Sequence, residues 1–75
     1  MKTNKKQKRI LTIIGSNIRY YRMKKGWSQE QLAFECDLHR TYIGAVERGE
    51  RNITVLNLFK IKDELGVRLK DLYPE

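Results

Sequence analysis

Apolar side chains recur at helical spacing toward both ends of this 75-residue chain. Near the N-terminus, Ile14, Ile18 and Tyr21 follow an i, i+4, i+7 pattern, which predicts a first helix over residues 10–24. Gly15 lies inside this helix, where glycine costs roughly 1 kcal/mol relative to alanine. We therefore expect Gly15 to permit a close contact with another part of the chain.

A second strong helical pattern covers residues 54–65 in the C-terminal half. Thr54 is a suitable N-cap and Gly66 is a suitable residue to end the helix. One face carries a stripe that we expect to be core: Val55, Leu58, Ile61 and Leu65. A short last helix is expected within residues 69–73. With the two helices described next, the chain is predicted to be all-α with five helices.

The middle of the chain has the pattern of two short helices joined by a tight turn. Ser28 is a good N-cap, and Gln31 completes a capping box for a helix over about residues 29–36. The helical period then breaks and resumes in a helix over about residues 40–48. Gly49 offers the left-handed residue that ends this helix. The arrangement predicts a helix-turn-helix.

The second of these short helices has one apolar face and one polar face. Ile43 and Val46 are spaced to anchor it to a core. Its outer face combines donors near the N-terminus with small residues, and it comprises Arg40, Thr41, Gly44, Ala45 and Arg48. A helix that enters a DNA major groove needs such a face, because arginine can donate two bonds to guanine and small residues allow close approach.

Composition and charge narrow the class of protein. The formal net charge is +7, and the first nine residues carry five positive charges and no acid. We expect residues 1–9 to be a flexible basic arm, which follows a DNA backbone, reaches into a minor groove or only adds long-range attraction. No apolar run approaches the ~20 residues of a membrane span, so no membrane partner is expected.

The sequence contains no credible catalytic or metal-binding constellation. His39 is the only histidine, and it has no nucleophile at a recognisable spacing. Cys36 and His39 together supply two ligands, which do not make a structural zinc site. Cys36 falls at an apolar helix position and is interpreted as a small buried hydrophobe. We therefore expect a protein that is not an enzyme and has neither cofactor nor metal.

The motifs SQEQLA, TYI and ERG, followed by RNIT, are landmarks of a known family. With them, the chain resembles repressor-type helix-turn-helix proteins such as phage lambda repressor and Cro, over roughly residues 10–73. The RTYI…VERGERN run and the small size resemble the controller proteins of restriction–modification systems. The resemblance implies a five-helix DNA-binding domain over residues 10–75. It also implies a homodimer on a near-palindromic operator with half-sites roughly 10 bp apart.

Three residues depart from the family's usual pattern. Asp37 stands where the turn often has glycine, His39 where it often has serine, and Ile53 where proline is frequent. Aspartate can adopt the left-handed conformation, so we expect the turn to form. His39 is a weaker N-cap than serine, which leaves the angle of the following helix less constrained.

The resemblance to controller proteins also implies a function in transcription. Such a protein activates a restriction gene and represses its own promoter at higher occupancy. This implies contact with RNA polymerase and a location in the bacterial cytoplasm, at the nucleoid. Two alternatives stay open. One is an antitoxin-like or phage-type repressor whose C-terminal apolar face binds a partner protein, and the other is a non-specific architectural DNA-binding protein.

Individual contacts with DNA can be assigned to residues of the helix-turn-helix and of the loop after it. Base contacts are expected from Arg40, Thr41, Gly44 and Arg51. Phosphate contacts are expected from Ser28, Gln29, Tyr42, Arg48 and Asn52. Burial of the Tyr42 ring and simple solvation of Arg48 are the competing interpretations.

Arg22 has a structural and a functional interpretation. In the family, an arginine at this place often pairs with the glutamate that is Glu47 in this chain. We prefer the structural ion pair, because an unpaired Glu47 would place a carboxylate near DNA phosphates. The alternative is that Arg22 itself binds phosphate.

The C-terminal helices carry more apolar surface than one core requires. Leu56 and Phe59 fall outside the core stripe of their helix. This predicts a second packing surface, most simply a homodimer interface, made by Leu56, Phe59, Leu69, Leu72 and Tyr73. The alternative is that all of these side chains close a single core.

Overall fold

The structure is a computed structural model that describes residues 4–74, and within them it contains five α-helices. Their bounds are α1 Lys5–Lys24, α2 Gln29–Cys36, α3 Arg40–Glu47, α4 Val55–Leu65 and α5 Leu69–Leu72. The predicted all-α, five-helix fold is confirmed. Helix α1 packs against α3, α4 and α5, and α2 packs against α3 and α4. None of the helices in residues 4–74 has the length and apolar character needed to cross a bilayer.

Helix α1 begins five residues earlier than its apolar stripe predicted. Asn4 and Gln7 form a reciprocal capping box, in which the Gln7 N–H donates to Asn4 Oδ1 at 2.8 Å. The Lys8 ammonium donates to the Gly49 carbonyl oxygen at 2.7 Å. The prediction of a flexible arm over residues 1–9 is therefore wrong for residues 5–9, because polar caps extend the helix where no apolar stripe exists. Residues 1–3 lie outside the described part of the chain.

The turn between α2 and α3 forms as predicted. Asp37 adopts the left-handed conformation with φ 56°, which a short polar side chain tolerates. The Ser28 hydroxyl accepts from the Gln31 N–H at 3.0 Å. The predicted capping box is half formed, because the Gln31 amide donates to Glu35 Oε2 at 2.6 Å instead. His39 does cap α3, since its Nδ1 accepts from the Thr41 N–H at 3.1 Å.

The core contains five large side chains that are fully buried: Ile18, Leu32, Ile43, Ile61 and Leu72. The prediction that Leu72 belongs to a dimer surface is therefore wrong. Its backbone carbonyl accepts from the Asn17 amide at 2.9 Å, which ties α5 to α1 and turns the Leu72 side chain inward. The prediction that Val55 is core is also wrong, because the first turn of α4 leaves 71% of Val55 exposed.

Two glycines let α1 approach the end of α3. A Cβ on Gly15 would meet the carbonyl oxygens of Val46 and Glu47, the second at 2.7 Å. Gly49 ends α3 with φ +73° and lies against Thr12, where a Cβ would be 2.8 Å from the threonine hydroxyl. Both positions therefore require glycine, and the close contact expected at Gly15 is confirmed.

Cys36 is buried where α2 packs against α4, with Sγ 3.8 Å from the Lys60 carbonyl oxygen. Burial raises the pKa of its thiol to about 11, and the nearby Glu64 and Glu35 carboxylates add to this effect. The thiol is protonated and unreactive at neutral pH. Its interpretation as a small buried hydrophobe is confirmed. No cluster of three or more His, Cys, Asp or Glu side chains that could hold a metal ion occurs in residues 4–74.

Candidate nucleic-acid interface

An open groove of about 670 Å³ lies between the N-terminus of α2 and the outer face of α3. Six of the side chains predicted to contact DNA line it: Ser28, Gln29, Arg40, Thr41, Gly44 and Arg48. Arg22 and Glu30 complete its walls. The structure therefore brings together, on one surface, predicted contact residues from Ser28 to Arg48, which are 20 positions apart in the sequence.

Arg40 and Thr41 are exposed at the first turn of α3. The Arg40 guanidinium lies 3.8 Å from the Glu30 carboxylate, and both side chains are more than two-thirds exposed. An ion pair this exposed adds little stability, so it leaves the guanidinium able to exchange Glu30 for a base or phosphate. The Thr41 backbone N–H is already used by His39, which leaves its hydroxyl and methyl groups for an incoming ligand.

Arg22, which lines the groove, belongs to a buried ion pair. Arg22 Nε donates to Glu47 Oε2 at 2.6 Å, and Arg22 Nη2 donates to Glu47 Oε1 at 3.0 Å. Arg22 also donates to the Trp27 carbonyl oxygen at 2.7 Å. The predicted Arg22–Glu47 pair is thus present, and it is bidentate and almost completely buried. It joins α1 to α3 and to the loop that leads into α2.

Gln29 links this ion pair to the N-terminus of α2. Its amide Nε2 donates to Glu47 Oε1 at 3.0 Å. Glu47 Oε1 therefore accepts from both Arg22 and Gln29. The guanidinium balances the charge of the carboxylate, and the neutral amide adds a further hydrogen bond. The N-terminus of α2, with Ser28 as its cap, is held against α3 by this contact. The same contact commits the side-chain donor that we expected Gln29 to offer to phosphate.

Gly44 is covered in the absence of DNA. A Cβ at this position would lie 3.2 Å from Arg48 Nη1 and 3.3 Å from Gln29 Oε1. Gly44 is buried beneath these two side chains, so a base reaches it only when they move. Arg48 is itself exposed, and its guanidinium lies 3.1 Å from the Glu50 carboxylate. The Arg48 side chain therefore covers Gly44 and is also a candidate phosphate ligand.

Arg51 and Tyr42 lie together outside this groove. The guanidinium carbon of Arg51 is 5.1 Å from the centroid of the Tyr42 ring, a cation–π geometry. The ring is half-buried against the core, as the competing interpretation of Tyr42 held. Its hydroxyl oxygen accepts from Asn57 Nδ2 at 3.1 Å. The hydroxyl hydrogen is therefore available to donate to a phosphate. Asn52 is exposed beside them.

The sequence pattern did not reveal a second groove, of about 500 Å³, on the other side of Gln29 and Arg48. Ser16, Arg19, Tyr20 and Met23 of α1 line it. Arg19 is exposed and adds a positive charge next to the predicted contact residues. Its position on α1, directly after the buried Ile18, was visible in the sequence. Its proximity to Arg48 depends on how α1 crosses α3, and no local pattern encodes that crossing.

The three predicted dimer residues that remain accessible lie on α4 and α5. Leu56 is 68% exposed, Phe59 41% and Leu69 38%. Tyr73 is half-buried and packs against the core, and Leu72 is inside it. Val55 adds to the exposed apolar surface of α4. An apolar surface of this kind on a small domain is typical of a protein–protein interface.

Comparison with known proteins places the chain among proteins of this architecture. Residues 18–72 match the helix-turn-helix family. Control protein C.BamHI of Bacillus amyloliquefaciens is 53% identical over 64 residues, which cover 84% of this chain and 79% of that protein. The crystal structure of the restriction–modification controller protein C.AhdI from Aeromonas hydrophila superposes with a TM-score of 0.80 and 41% identity. The match covers 84% of this chain and 96% of that one.

A third relative has been solved with its ligand. The crystal structure of the restriction–modification controller protein C.Esp1396I, as a tetramer in complex with its natural 35 base-pair operator, superposes with a TM-score of 0.74 and 34% identity. The match covers 84% of this chain and 93% of that chain. The chain shares its fold with these relatives, matches the family over about three quarters of its length and is similar in sequence to control proteins. It therefore belongs to the helix-turn-helix family.

Proposed function

We propose that this protein is a transcriptional regulator that binds a near-palindromic DNA operator as a homodimer and controls a restriction–modification system. It is a DNA-binding protein and not an enzyme. The observation that carries the proposal is the exposed outer face of α3, where Arg40 and Thr41 stand at the mouth of a groove lined by further donors. Its similarity to control proteins, one of them solved on its operator, supports the same conclusion.

The side chains divide into those that read bases and those that hold the backbone. Helix α3 enters the major groove with its N-terminus first, so that Arg40 and Thr41 meet base edges. Arg51 reads bases from the loop that follows, and Gly44 allows close approach once Arg48 and Gln29 have moved to the phosphates. Further contacts to the DNA backbone come from Ser28, Tyr42, Asn52 and Arg19. These contacts set the register but carry no sequence information.

The base-reading role of Arg40 is tested by selecting bound sequences from random duplex DNA at near-physiological salt. We expect a near-palindrome with G at a fixed place in each half-site. Arg40→Ala is expected to lose about 1–3 kcal/mol of discrimination at that base pair, because a bidentate contact is removed. Arg68→Ala is the matched control: it removes the same charge from an exposed arginine at the start of α5, which does not line the groove. If Arg40→Ala instead weakens binding to all sequences by the same factor, base reading by Arg40 is contradicted.

Activation requires a further contact, and we propose that α2 presents it to RNA polymerase. Phe34 is 78% exposed on the outer face of α2, and Glu30 and Glu35 flank it. An exposed aromatic side chain beside acids is unusual on a protein with a net charge of +7, and it suits a basic, partly apolar partner. Phe34 and Glu35 lie outside the groove lined by Arg40 and Thr41, whereas Glu30 lies at its edge beside Arg40.

The polymerase contact is tested by transcription from the operator-containing promoter with purified components. We expect Phe34→Ala to bind the operator with unchanged affinity and to lose at least half of the activation, because exposed aromatic anchors dominate such interfaces. Met23→Ala, a truncation of another exposed apolar side chain on α1, is the control and should activate normally. Full activation by Phe34→Ala would exclude this surface as the polymerase contact.

A nucleoid location in a bacterial cell follows from binding of chromosomal or plasmid operators. A homodimer is proposed from the exposed apolar surface of α4 and α5. In the competing proposal that surface binds a partner protein of another kind, and the oligomeric state of the isolated chain separates this from dimerisation.

A further inference from the structure

Tyr42 lies at the junction between the DNA-reading helix and the helix proposed to form the dimer. Its half-buried ring packs against the core from α3. Its hydroxyl oxygen accepts from Asn57 Nδ2 of α4 at 3.1 Å, in a partly buried contact between residues 15 positions apart. The hydrogen bond therefore fixes the ring from α4, in addition to the packing that holds it from α3.

The same ring holds Arg51 in the loop between these helices. The guanidinium carbon of Arg51 is 5.1 Å from the ring centroid, within the range of a cation–π interaction. Arg51 is exposed, and the ion pairs formed among residues 4–74 do not include it. The Tyr42 ring is accordingly the contact that gives this loop arginine a preferred position.

We infer that Asn57 and Tyr42 are positioning residues that set the orientation of Arg51 for base reading. This rests on the proposed function, in which Arg51 reads a base. Asn57 orients the ring and the ring orients the guanidinium, so the loop meets DNA with its arginine preorganised and less side-chain entropy is lost on binding. Asn57 also lies between Leu56 and Phe59 on α4. The series of contacts from Asn57 through Tyr42 to Arg51, called the relay below, therefore connects the proposed dimer surface to the loop that carries Arg51.

Two substitutions delete the same hydrogen bond from opposite ends. Asn57→Ala removes the donor, and Tyr42→Phe removes the hydroxyl while keeping the ring. Each is expected to lower discrimination about three- to tenfold at the base pair where Arg51→Ala acts, the range that corresponds to one hydrogen bond. Other base pairs should be unaffected. At that base pair the double variant should lose no more discrimination than the more affected single variant, because both changes delete the same hydrogen bond. Loss of the Tyr42 phosphate contact lowers the affinity for all sequences alike and leaves the discrimination unchanged.

A spectroscopic measurement tests the relay without DNA. In NMR spectra of the full chain, the side-chain protons of Arg51 should be shifted upfield by the Tyr42 ring. Asn57→Ala and Tyr42→Phe should both move these signals toward the values of Tyr42→Leu, which has no ring. Gln31→Ala deletes a side-chain amide hydrogen bond on α2, far from the relay, and it should leave them in place.

Several results would overturn the inference. Arg51 signals that do not change in Asn57→Ala or Tyr42→Phe would exclude the relay. Losses of discrimination that add in the double variant, or an Asn57→Ala loss that falls equally on all sequences, would exclude it as well. If Asn57→Ala fails to fold, Tyr42→Phe retains the packed ring and carries the test alone. A wild-type protein that selects no consensus contradicts the proposed function, whereas the NMR comparison still decides whether Asn57 and Tyr42 position Arg51.

Discussion

Replacing Arg22 by alanine is expected to lower the free energy of unfolding by about 3–5 kcal/mol, the usual cost of leaving one member of a buried ion pair without its partner. Arg22 and Glu47 are less than a tenth exposed and are joined by two hydrogen bonds. In Arg22→Ala, Glu47 keeps only the amide of Gln29. A domain of this size has a total stability of roughly 5–10 kcal/mol, so the variant should be close to unfolding at physiological temperature.

The design of the experiment separates the cost of breaking the pair from the net value of having it. Replacement of both partners by apolar residues, in Arg22→Met with Glu47→Leu, should cost less than either single alanine variant, because no buried charge is left unpaired. Arg19→Ala, three residues earlier on an exposed face of α1, should stay within about 0.5 kcal/mol of the wild type. Urea unfolding followed by circular dichroism at one fixed protein concentration measures all of them.

A loss below about 1 kcal/mol in Arg22→Ala would show that water or another side chain replaces the guanidinium. The pair would then matter for geometry alone.

The loss of the Arg22–Glu47 pair should also affect DNA binding. The Arg22–Glu47 pair, through the bond from Arg22 to the Trp27 carbonyl oxygen, holds the loop before α2 against the C-terminal turn of α3. A folded variant without it should therefore read DNA with reduced discrimination at several base pairs, because the angle of α3 is no longer fixed.

The parts of the fold that depend on local pattern were predictable from the sequence. Helical periodicity and the caps Ser28 and Thr54 located α2 to α4, and both hydroxyls do accept the expected N–H bonds. Asp37 takes the left-handed position that the turn requires. The outer face of α3 followed from the same periodicity, because a helix with Ile43 and Val46 buried must expose Thr41 and Arg48 on its opposite side.

The errors came from contacts between elements that are distant in sequence. Leu56 and Leu72 are equally apolar and both lie at helical spacing, but α5 crosses α1 so that Leu72 is buried and Leu56 is not. The N-terminal turns of α1 carry lysines without an apolar stripe, and the Lys8 bond to the Gly49 carbonyl oxygen is invisible to periodicity. For the same reason the second groove beside Arg19 and the Asn57–Tyr42 hydrogen bond required the structure.

Substitutions on the exposed apolar surface of α4 are expected to disrupt the proposed homodimer. Leu56→Gln combined with Phe59→Gln is expected to convert a dimer into a folded monomer, because it replaces the exposed apolar side chains at the centre of the surface without changing charge. The operator affinity should fall about 100-fold or more, since a monomer binds one half-site and loses the effective concentration that links the two. Sedimentation at micromolar concentration and operator titration provide the two measurements.

Phe34→Gln is the matched control, because it replaces an even more exposed aromatic side chain on α2 and leaves α4 and α5 intact. It should sediment as the wild type does. A double variant of Leu56 and Phe59 that still forms a dimer would place the interface elsewhere on the chain. A wild-type chain that is monomeric at these concentrations would favour the competing proposal, in which the apolar surface of α4 binds a different protein. Because a two-fold operator needs two copies of α3 in successive major grooves, that result would also remove the reason for a near-palindrome.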